Sequence, residues 1–265
     1  MGQQRNTLLL VDALNLIRRI YAAQPGEDGH ERVERATVSS VRSLQRALRE
    51  CQPSHAVCVF DGEGRSWRHE LHPGYKAGHT AMPEALADGL EGYREAFAEC
   101  GVASLSIPGI EADDVIATAA QKAAAAGALA VILSNDKSFL QLLPEGVRVH
   151  DHFRRTDLDA AYVTDRFGVR PDQLADLLAL AGDRGNGIPG VDRVGAKSAS
   201  KLLDQFGTLE VILESADVIE GRLGEYIRSA VETARLCRKL VGLRTDLELG
   251  TNLNELRYRP PVAGS

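Results

Sequence analysis

The sequence predicts an α/β protein: an open parallel sheet with helices on both faces, joined to a helical region after about residue 168. Two observations carry this. Short apolar runs of strand length alternate with segments of helical periodicity through the first part of the chain, the pattern of successive βαβ units. Beyond Pro171 the strand-like runs stop and amphipathic segments follow, separated by tight glycine turns.

Thr7–Val11 is a continuous apolar run closed by Asp12, as expected of a strand buried on both faces. From Val38 the spacing is helical, with Val38, Val41, Leu44 and Leu48 on one face. His55–Phe60 is a second strand, closed by Asp61. Pro83 opens another helix, with Leu86, Leu90, Tyr93 and Phe97 spaced for one face. A short strand around Val102–Leu105 leads to Pro108-Gly109 and an acidic run. A helix from about Asp113 then ends at Gly127, and Ala128–Leu133 is the next strand, with Asp136 just past it.

The acids point to chemistry. Glu111, Asp113 and Asp114 stand within one helical turn, where their charges repel one another. A helix dipole favours one or two acids in a first turn. It does not explain why Asp12, Asp61 and Asp136 also close apolar runs. In an open α/β sheet, ligands bind outside the carboxyl ends of the strands. Together with Asp183, these seven carboxylates suggest a divalent-metal site of the kind that hydrolyses phosphodiesters.

Two other stretches suggest nucleic acid. Residues 62–82 form a polar segment carrying Arg65, Arg68, His69, His72, Lys76 and His79, with Trp67 and Tyr75 interleaved. Basic residues mixed with aromatics suit a nucleic-acid backbone and its bases, although many solvated surface loops look similar. Farther on, Gly182–Val191 is glycine-rich and is followed by Gly195-Ala196-Lys197-Ser198 at a helix start. Backbone N–H groups there can hold DNA phosphates without reading sequence.

Composition excludes several classes. No stretch approaches the roughly 20 apolar residues of a membrane span, and the first apolar run is broken by Asp12 and Asn15. A cytoplasmic protein without a membrane anchor is expected. Cys51, Cys58, Cys100 and Cys237 are scattered and read as reduced, structural thiols. The net charge of −6 does not exclude nucleic acid, because metal-binding acids lower the total. His150 and His152 lack a third ligand at suitable spacing and read as surface histidines.

In order, the chain carries Val11-Asp12-Ala-Leu-Asn-Leu-Ile, Val59-Phe60-Asp61, Arg68, Tyr75-Lys76-Ala, Glu111-Ala-Asp113-Asp114, Asn135-Asp136-Lys137-Ser138, and Gly182-Asp183 through Gly195-Ala-Lys197-Ser198. From about Thr7 to Asp246 this set resembles the 5′-nuclease family of 5′–3′ exonucleases and flap endonucleases, and most of all its stand-alone bacterial branch, the exonuclease IX or Xni type. The resemblance implies a resolvase-like (PIN-like) parallel-sheet catalytic core over residues 1–168, with an arch or loop at 62–82. It also implies a helix-three-turn-helix DNA-binding region over 169–265. The implied activity is magnesium-dependent cleavage of DNA at 5′ flaps or free 5′ ends, in replication or repair.

Carried over by position, the metal ligands would be Asp12, Asp61, Glu111 and Asp113 with Asp114 adjacent, and Asp136 and Asp183 for a second ion. Lys76 would contact the scissile phosphate, Arg68 would hold phosphate and Tyr75 would stack. Potassium would be held by the carbonyls of Leu180, Ala181, Pro189, Val191 and Val194. The turn and helix start Arg193, Val194, Gly195, Ala196, Lys197 and Ser198 would grip duplex DNA. The family's second site has two further acids where this chain has Ser138 and Asn186, so that site is depleted. The rival readings are a DNA-structure binding protein whose cleavage has decayed, and a nuclease acting on RNA. The expected protein is a monomer, coupled to any DNA polymerase in trans.

Overall fold

The computed structural model describes residues 6–143 and 146–260. The potential ends of the expected domains at residues 1–5 and 261–265 lie outside them. The elements are β1 (Thr7–Asp12), α1 (Ala13–Ala23), α2 (His30–Cys51), β2 (His55–Val59), α3 (Trp67–Leu71), α4 (Glu84–Asp88), α5 (Leu90–Glu99), β3 (Ala103–Leu105) and α6 (Ala112–Ala125). Then follow β4 (Leu129–Leu133), β5 (Val147–Asp151), β6 (Thr156–Leu158), α7 (Ala160–Phe167), α8 (Leu174–Ala181), α9 (Ala196–Phe206), α10 (Leu209–Glu214), α11 (Gly221–Ser229) and α12 (Val231–Val241).

The strands form one sheet in the order β3-β2-β1-β4-β5-β6, parallel except for β6, which runs antiparallel to β5. Side chains alternate across β1. Leu8 and Leu10 join a core with α6 and the later helices, while Leu9 and Val11 join a second core with α1 and α2. Burial on both faces is why β1, β2 and β4 read as unbroken apolar runs. Because β1 lies between β2 and β4, the chain leaves it in both directions, and the crevice beyond its carboxyl end is the switch point of the sheet. The register sets Asp12 beside Val59 and Val11 beside Leu133, so the acids after all three strands emerge on one edge.

Several elements differ from the sequence expectation. Helix α1 was hidden, because the apolar run from Thr7 covers a strand and then the first turn of a helix. Helix α2 starts eight residues before Val38, and its buried face is Val33, Ala36, Ser40, Leu44, Ala47 and Leu48. Val38 points away from that face and is 51% exposed. The helix opened by Pro83 is two helices, because Gly89 caps α4 and starts α5. Segment 62–82 folds as α3 followed by turns packed on the glycine-rich loop. His152 is buried against Ser43 and Arg46, and burial with the Arg46 charge lowers its pKa to about 4; only His150, paired with Asp157, fits the surface reading. The four cysteines are free.

Candidate active site

The edge acids ring one cleft of about 400 Å³, lined by Asp12, Asp61, Asp113 and Asp136 with Lys76 on one wall. Each acid is fixed by the element it ends. Asp12 caps α1: its Oδ1 accepts the Asn15 N–H at 3.2 Å, and its Oδ2 accepts the Ser134 hydroxyl at 2.8 Å. Asp61 Oδ1 accepts the Ala112 N–H at 2.8 Å, so the acid after β2 caps the start of α6 from outside it. That approach needs glycine at 62, where a Cβ would lie 1.7 Å from the Ile107 carbonyl oxygen. Asp136 caps a 3₁₀ turn by accepting the Ser138 N–H at 2.7 Å. Asp113 stands in the first turn of α6, and among the described residues its carboxylate accepts no hydrogen bond.

The charges in this cleft are poorly compensated. Burial, and then the Asp136 and Asp61 carboxylates, raise the Asp12 pKa to about 7 despite the bonds from Ser134 and Asn15. Burial, then Asp136 and Asp12, raise Asp113 well above the usual carboxylate range. Among the described residues no three acids close around one point, so the cluster is an open ring of oxygen donors. Its donor chemistry fits a hard divalent cation, which takes oxygen ligands and offsets this repulsion.

A second network lies beneath the cleft and corrects three sequence assignments. Arg68 is 2% exposed. Its guanidinium donates to Glu111 Oε2 at 2.6 Å, to both oxygens of Asp114 at 2.8 Å, and to the carbonyls of Leu240 and Gly242 at 2.8 Å. It cannot also hold a DNA phosphate. Asp114 is fully buried and also accepts the Trp67 indole N–H and the Arg244 amide, both at 2.9 Å. Its oxygens are turned from the cleft and are not metal ligands. Tyr75 is 5% exposed and donates its hydroxyl to Glu111 Oε2, so its ring offers no face for a base to stack on.

Glu111 joins the two networks. Lys76 Nζ donates to Glu111 Oε1 at 2.7 Å. Burial would raise the Glu111 pKa, but Lys76 and Arg68 outweigh it and hold the carboxyl below its ordinary value. Burial would lower the Lys76 pKa, but Asp113, Tyr75 and Glu111 hold the ammonium charged. Lys76 has φ of +53°, and its N–H donates to the Asn186 carbonyl at 2.8 Å. Gly187 packs against Gly74 so closely that a Cβ would lie 2.3 Å from the Gly74 carbonyl oxygen. The glycine-rich loop therefore sets the position of Lys76.

Asp183 does not line this cleft; it is buried beside a small neighbouring cavity that Asp113 also borders, and accepts Lys137 Nζ at 2.9 Å and Asn186 Nδ2 at 3.0 Å. Farther out, α8, the glycine loop and α9 form a helix-turn-helix. Gly195 precedes α9 with no side-chain cap, and Ala196 and Lys197 are exposed beside the exposed Arg193. Val194 is buried and its N–H donates to the Val191 carbonyl at 3.1 Å, so it offers the duplex neither a side chain nor a free N–H. The carbonyls of Leu180 and Val191 accept the N–H groups of Val191 and Val194, each keeping one lone pair.

Comparison with known proteins matches this arrangement along the chain. Residues 7–168 match the 5′–3′ exonuclease N-terminal resolvase-like domain, and residues 169–263 match the 5′–3′ exonuclease C-terminal SAM fold. The flap endonuclease Xni of Cronobacter sakazakii is 44% identical over 252 residues, 94% of this chain and 97% of that one. The chain belongs to the 5′–3′ exonuclease family. The Xni protein of Aliivibrio fischeri is 42% identical over 253 residues, 95% of each chain. Among solved structures, the T5 5′-exonuclease with bound zinc superposes with a TM-score of 0.77 at 22% identity, covering 91% of this chain and 90% of that one. The catalytic core of Rad2 with a DNA substrate gives 0.61 at 13% identity, covering 97% and 84%. These two likenesses show the shared fold.

The sequence reading of this family member missed three cleft residues, Asn15, Arg18 and Arg19. All three sit on α1, one turn or two beyond Asp12, and recognising that helix would have exposed them. Lys137 was also missed, because it lies between two positions read only for their oxygens.

The uncompensated acids give a pH prediction. A carboxyl whose folded pKa is about 7 keeps a proton that the unfolded chain releases near 3.8. Its stabilising contribution is complete below the lower value and lost as pH rises through the higher one. Without divalent ions the protein should therefore melt at lower temperature at pH 8 than at pH 5, Asp12 alone contributing about 2–3 kcal/mol over that interval. Asp12→Asn should flatten this dependence in chelator, and a divalent ion should reverse it in the wild type. Thermal melts across that range check it; a flat wild-type profile in chelator contradicts it.

Proposed function

We propose that this cleft hydrolyses DNA phosphodiester bonds near the junction of a 5′ flap or at a free 5′ end, with magnesium held by Asp12, Asp61, Asp113 and Asp136. The observation that carries this is the convergence of those four acids with Lys76 from separate strand ends and helix starts. The relatives' printed name, flap endonuclease, supports the substrate, and the T5 flap endonuclease solved with DNA and metal ions supports the cofactor class. A divalent ion supplies an activated water and neutralises charge on the phosphate. Lys76, held by Glu111 and kept cationic, offsets negative charge that develops on the phosphate at the cleft wall. Glu111 acts here through Lys76 and Arg68, and its own ligation of the ion would exchange one of those contacts.

The helix-turn-helix grips the duplex backbone through Arg193, the Gly195–Ser198 turn and Lys197. The carbonyls of Leu180, Ala181, Pro189, Val191 and Val194 are the candidate potassium ligands, which would stiffen that turn. The proposed protein is a cytoplasmic monomer that works with a DNA polymerase. No helix among the described residues is long and apolar enough to cross a membrane. Lys197→Ala should weaken duplex binding at all sequences and reduce the slope of log K against log salt by about 1. Equilibrium binding at several salt concentrations checks this, and an unchanged slope removes Lys197 from the interface.

The deciding experiment is magnesium-dependent cleavage of a 5′-flap duplex with potassium present. Cutting near the junction supports the nuclease reading. The alternative is a flap-binding protein with decayed activity, favoured by the neutral Ser138 and Asn186 near Asp183. Tight binding without cutting across a wide magnesium range would establish it.

A further inference from the structure

Away from the active cleft, the start of α2 and the α4–α5 pair enclose a groove of about 780 Å³, a size typical of ligand-binding clefts. It shares no lining residue with the cleft of acids. Val33, 7% exposed, lies at its floor; Val38 stands half-exposed on one wall, and Ala85, Gly89 and Gly92 form the other. The two glycines differ. At Gly89 a Cβ would lie 2.6 Å from Val33 Cγ1, so close packing of α2 on the α4–α5 junction requires glycine there. At Gly92 a Cβ would meet nothing within 4 Å, although glycine is the weakest helix former after proline. No contact within the protein asks for a bare position at Gly92, and its effect is a low wall that lets a second backbone approach.

The rim of the groove is acidic. Glu34 and Asp88 line it, and α4 and α5 carry five acids, Glu84, Asp88, Glu91, Glu95 and Glu99, against one arginine, Arg94. Arg94 lies over the Phe60 ring at 3.9 Å and pairs with Glu91. Arg32 and Arg35, beside Glu34 on α2, donate to the carbonyls of Tyr21, Ala22 and Pro25. Of the lining residues only His30, 3.2 Å from Glu34, is basic, and Thr37 donates its hydroxyl to the Val33 carbonyl at 2.9 Å. Such a rim repels a phosphate backbone. An apolar groove edged by acids suits a cationic amphipathic peptide.

We propose that this groove docks a peptide segment of a partner protein, which seats apolar side chains on Val33 and Val38 and turns lysine or arginine toward Glu34 and Asp88. The peptide backbone passes over Gly92. Because the groove and the active cleft share no residue, a partner held here leaves the cleft free for its own substrate. The docking site stands apart from the phosphodiester-cleavage reading of that cleft.

The test selects peptides from a random library displayed on phage against the immobilised full chain, and measures each enriched peptide by fluorescence anisotropy. Enriched peptides should combine apolar side chains with lysine or arginine. Gly92→Gln, which fills the passage between Val38 and α5, should weaken their binding at least about tenfold. Glu34→Gln combined with Asp88→Asn should weaken it too and flatten its salt dependence. Glutamine is a better helix former than glycine, so Gly92→Gln should melt no lower than the wild type; if it does, Val38→Gln repeats the comparison. A library that enriches no peptide, or enriches acidic ones, overturns the proposal. Basic peptides that bind Gly92→Gln as tightly as the wild type also overturn it, since they sit elsewhere, as on the acids of the active cleft. Wild-type dimers in sedimentation that Gly92→Gln dissociates would assign the groove to a second copy and overturn it as well. A wild type that docks such peptides yet cuts no flap refutes the nuclease reading alone.

Discussion

An Asp113→Asn protein should leave a 5′-flap duplex uncut while folding normally and binding that duplex as the wild type does. Asp113 lines the cleft and accepts no protein hydrogen bond among the described residues, so the amide breaks no contact. It also removes a charge that Asp136, Asp12 and Asp61 repel, so stability in chelator should be unchanged or raised. The loss falls on metal affinity and on charge at the phosphate, and a cleavage rate lower by at least about a thousandfold, roughly 4 kcal/mol of barrier, is expected. Single-turnover cleavage in magnesium, with binding measured in calcium, separates the two effects. The neighbouring change is the control. Asp114→Asn should instead lower the melting temperature, since Asp114 accepts bonds from Trp67, Arg68 and Arg244 in the core. A folded Asp113→Asn enzyme of normal activity would remove Asp113 from the site.

That contrast shows where a sequence stops being informative. Strands β1, β2 and β4 were legible because strands buried on both faces are continuous apolar runs, and the acids that close them sit on the edge that the chain topology dictates. The partly exposed β5 and β6 at the sheet's margin carry no such run and were not legible. Which way each acid points was not. Asp113 and Asp114 are about 100° apart on a helix, so adjacent carboxylates face the cleft and the core. The core partner of Asp114 is Arg68, which arrives from a stretch whose composition is that of a solvated loop. The Arg244 amide reaches the same carboxylate from 130 residues away. Long-range pairing of this kind leaves no local trace. Tyr75 and His152 were misplaced for the same reason, since their burial is set by Glu111 in one case and by Ser43 and Arg46 in the other. Helix α1 was lost differently, because a strand and a helix that are both apolar merge without a boundary.

Arg68→Ala should be among the most destabilising single changes in the chain, and its effect should appear in stability before it appears in DNA affinity. The guanidinium supplies five hydrogen bonds: to Glu111, to Asp114 twice, and to the carbonyls of Leu240 and Gly242. Through the last two it ties α3 to the end of α12, so it joins the segment above the cleft to the helical region. Removing it strands the fully buried Asp114 without its counter-charge, and breaking one side of a buried ion pair costs about 3–5 kcal/mol. At about 2–4 °C per kcal/mol for a chain of this size, the melting temperature should fall by roughly 10 °C. Arg68→Lys should recover only part of this, because one ammonium cannot span the fork that serves two carboxylates and two carbonyls. A phosphate-binding Arg68 would behave in the opposite way, with an unchanged melting temperature and a shallower salt dependence of DNA binding. Thermal denaturation and salt-dependent binding of the same two variants distinguish the roles. An Arg68→Ala protein that melts like the wild type would contradict the buried clamp, and with it the reading of Asp114 as a structural acid.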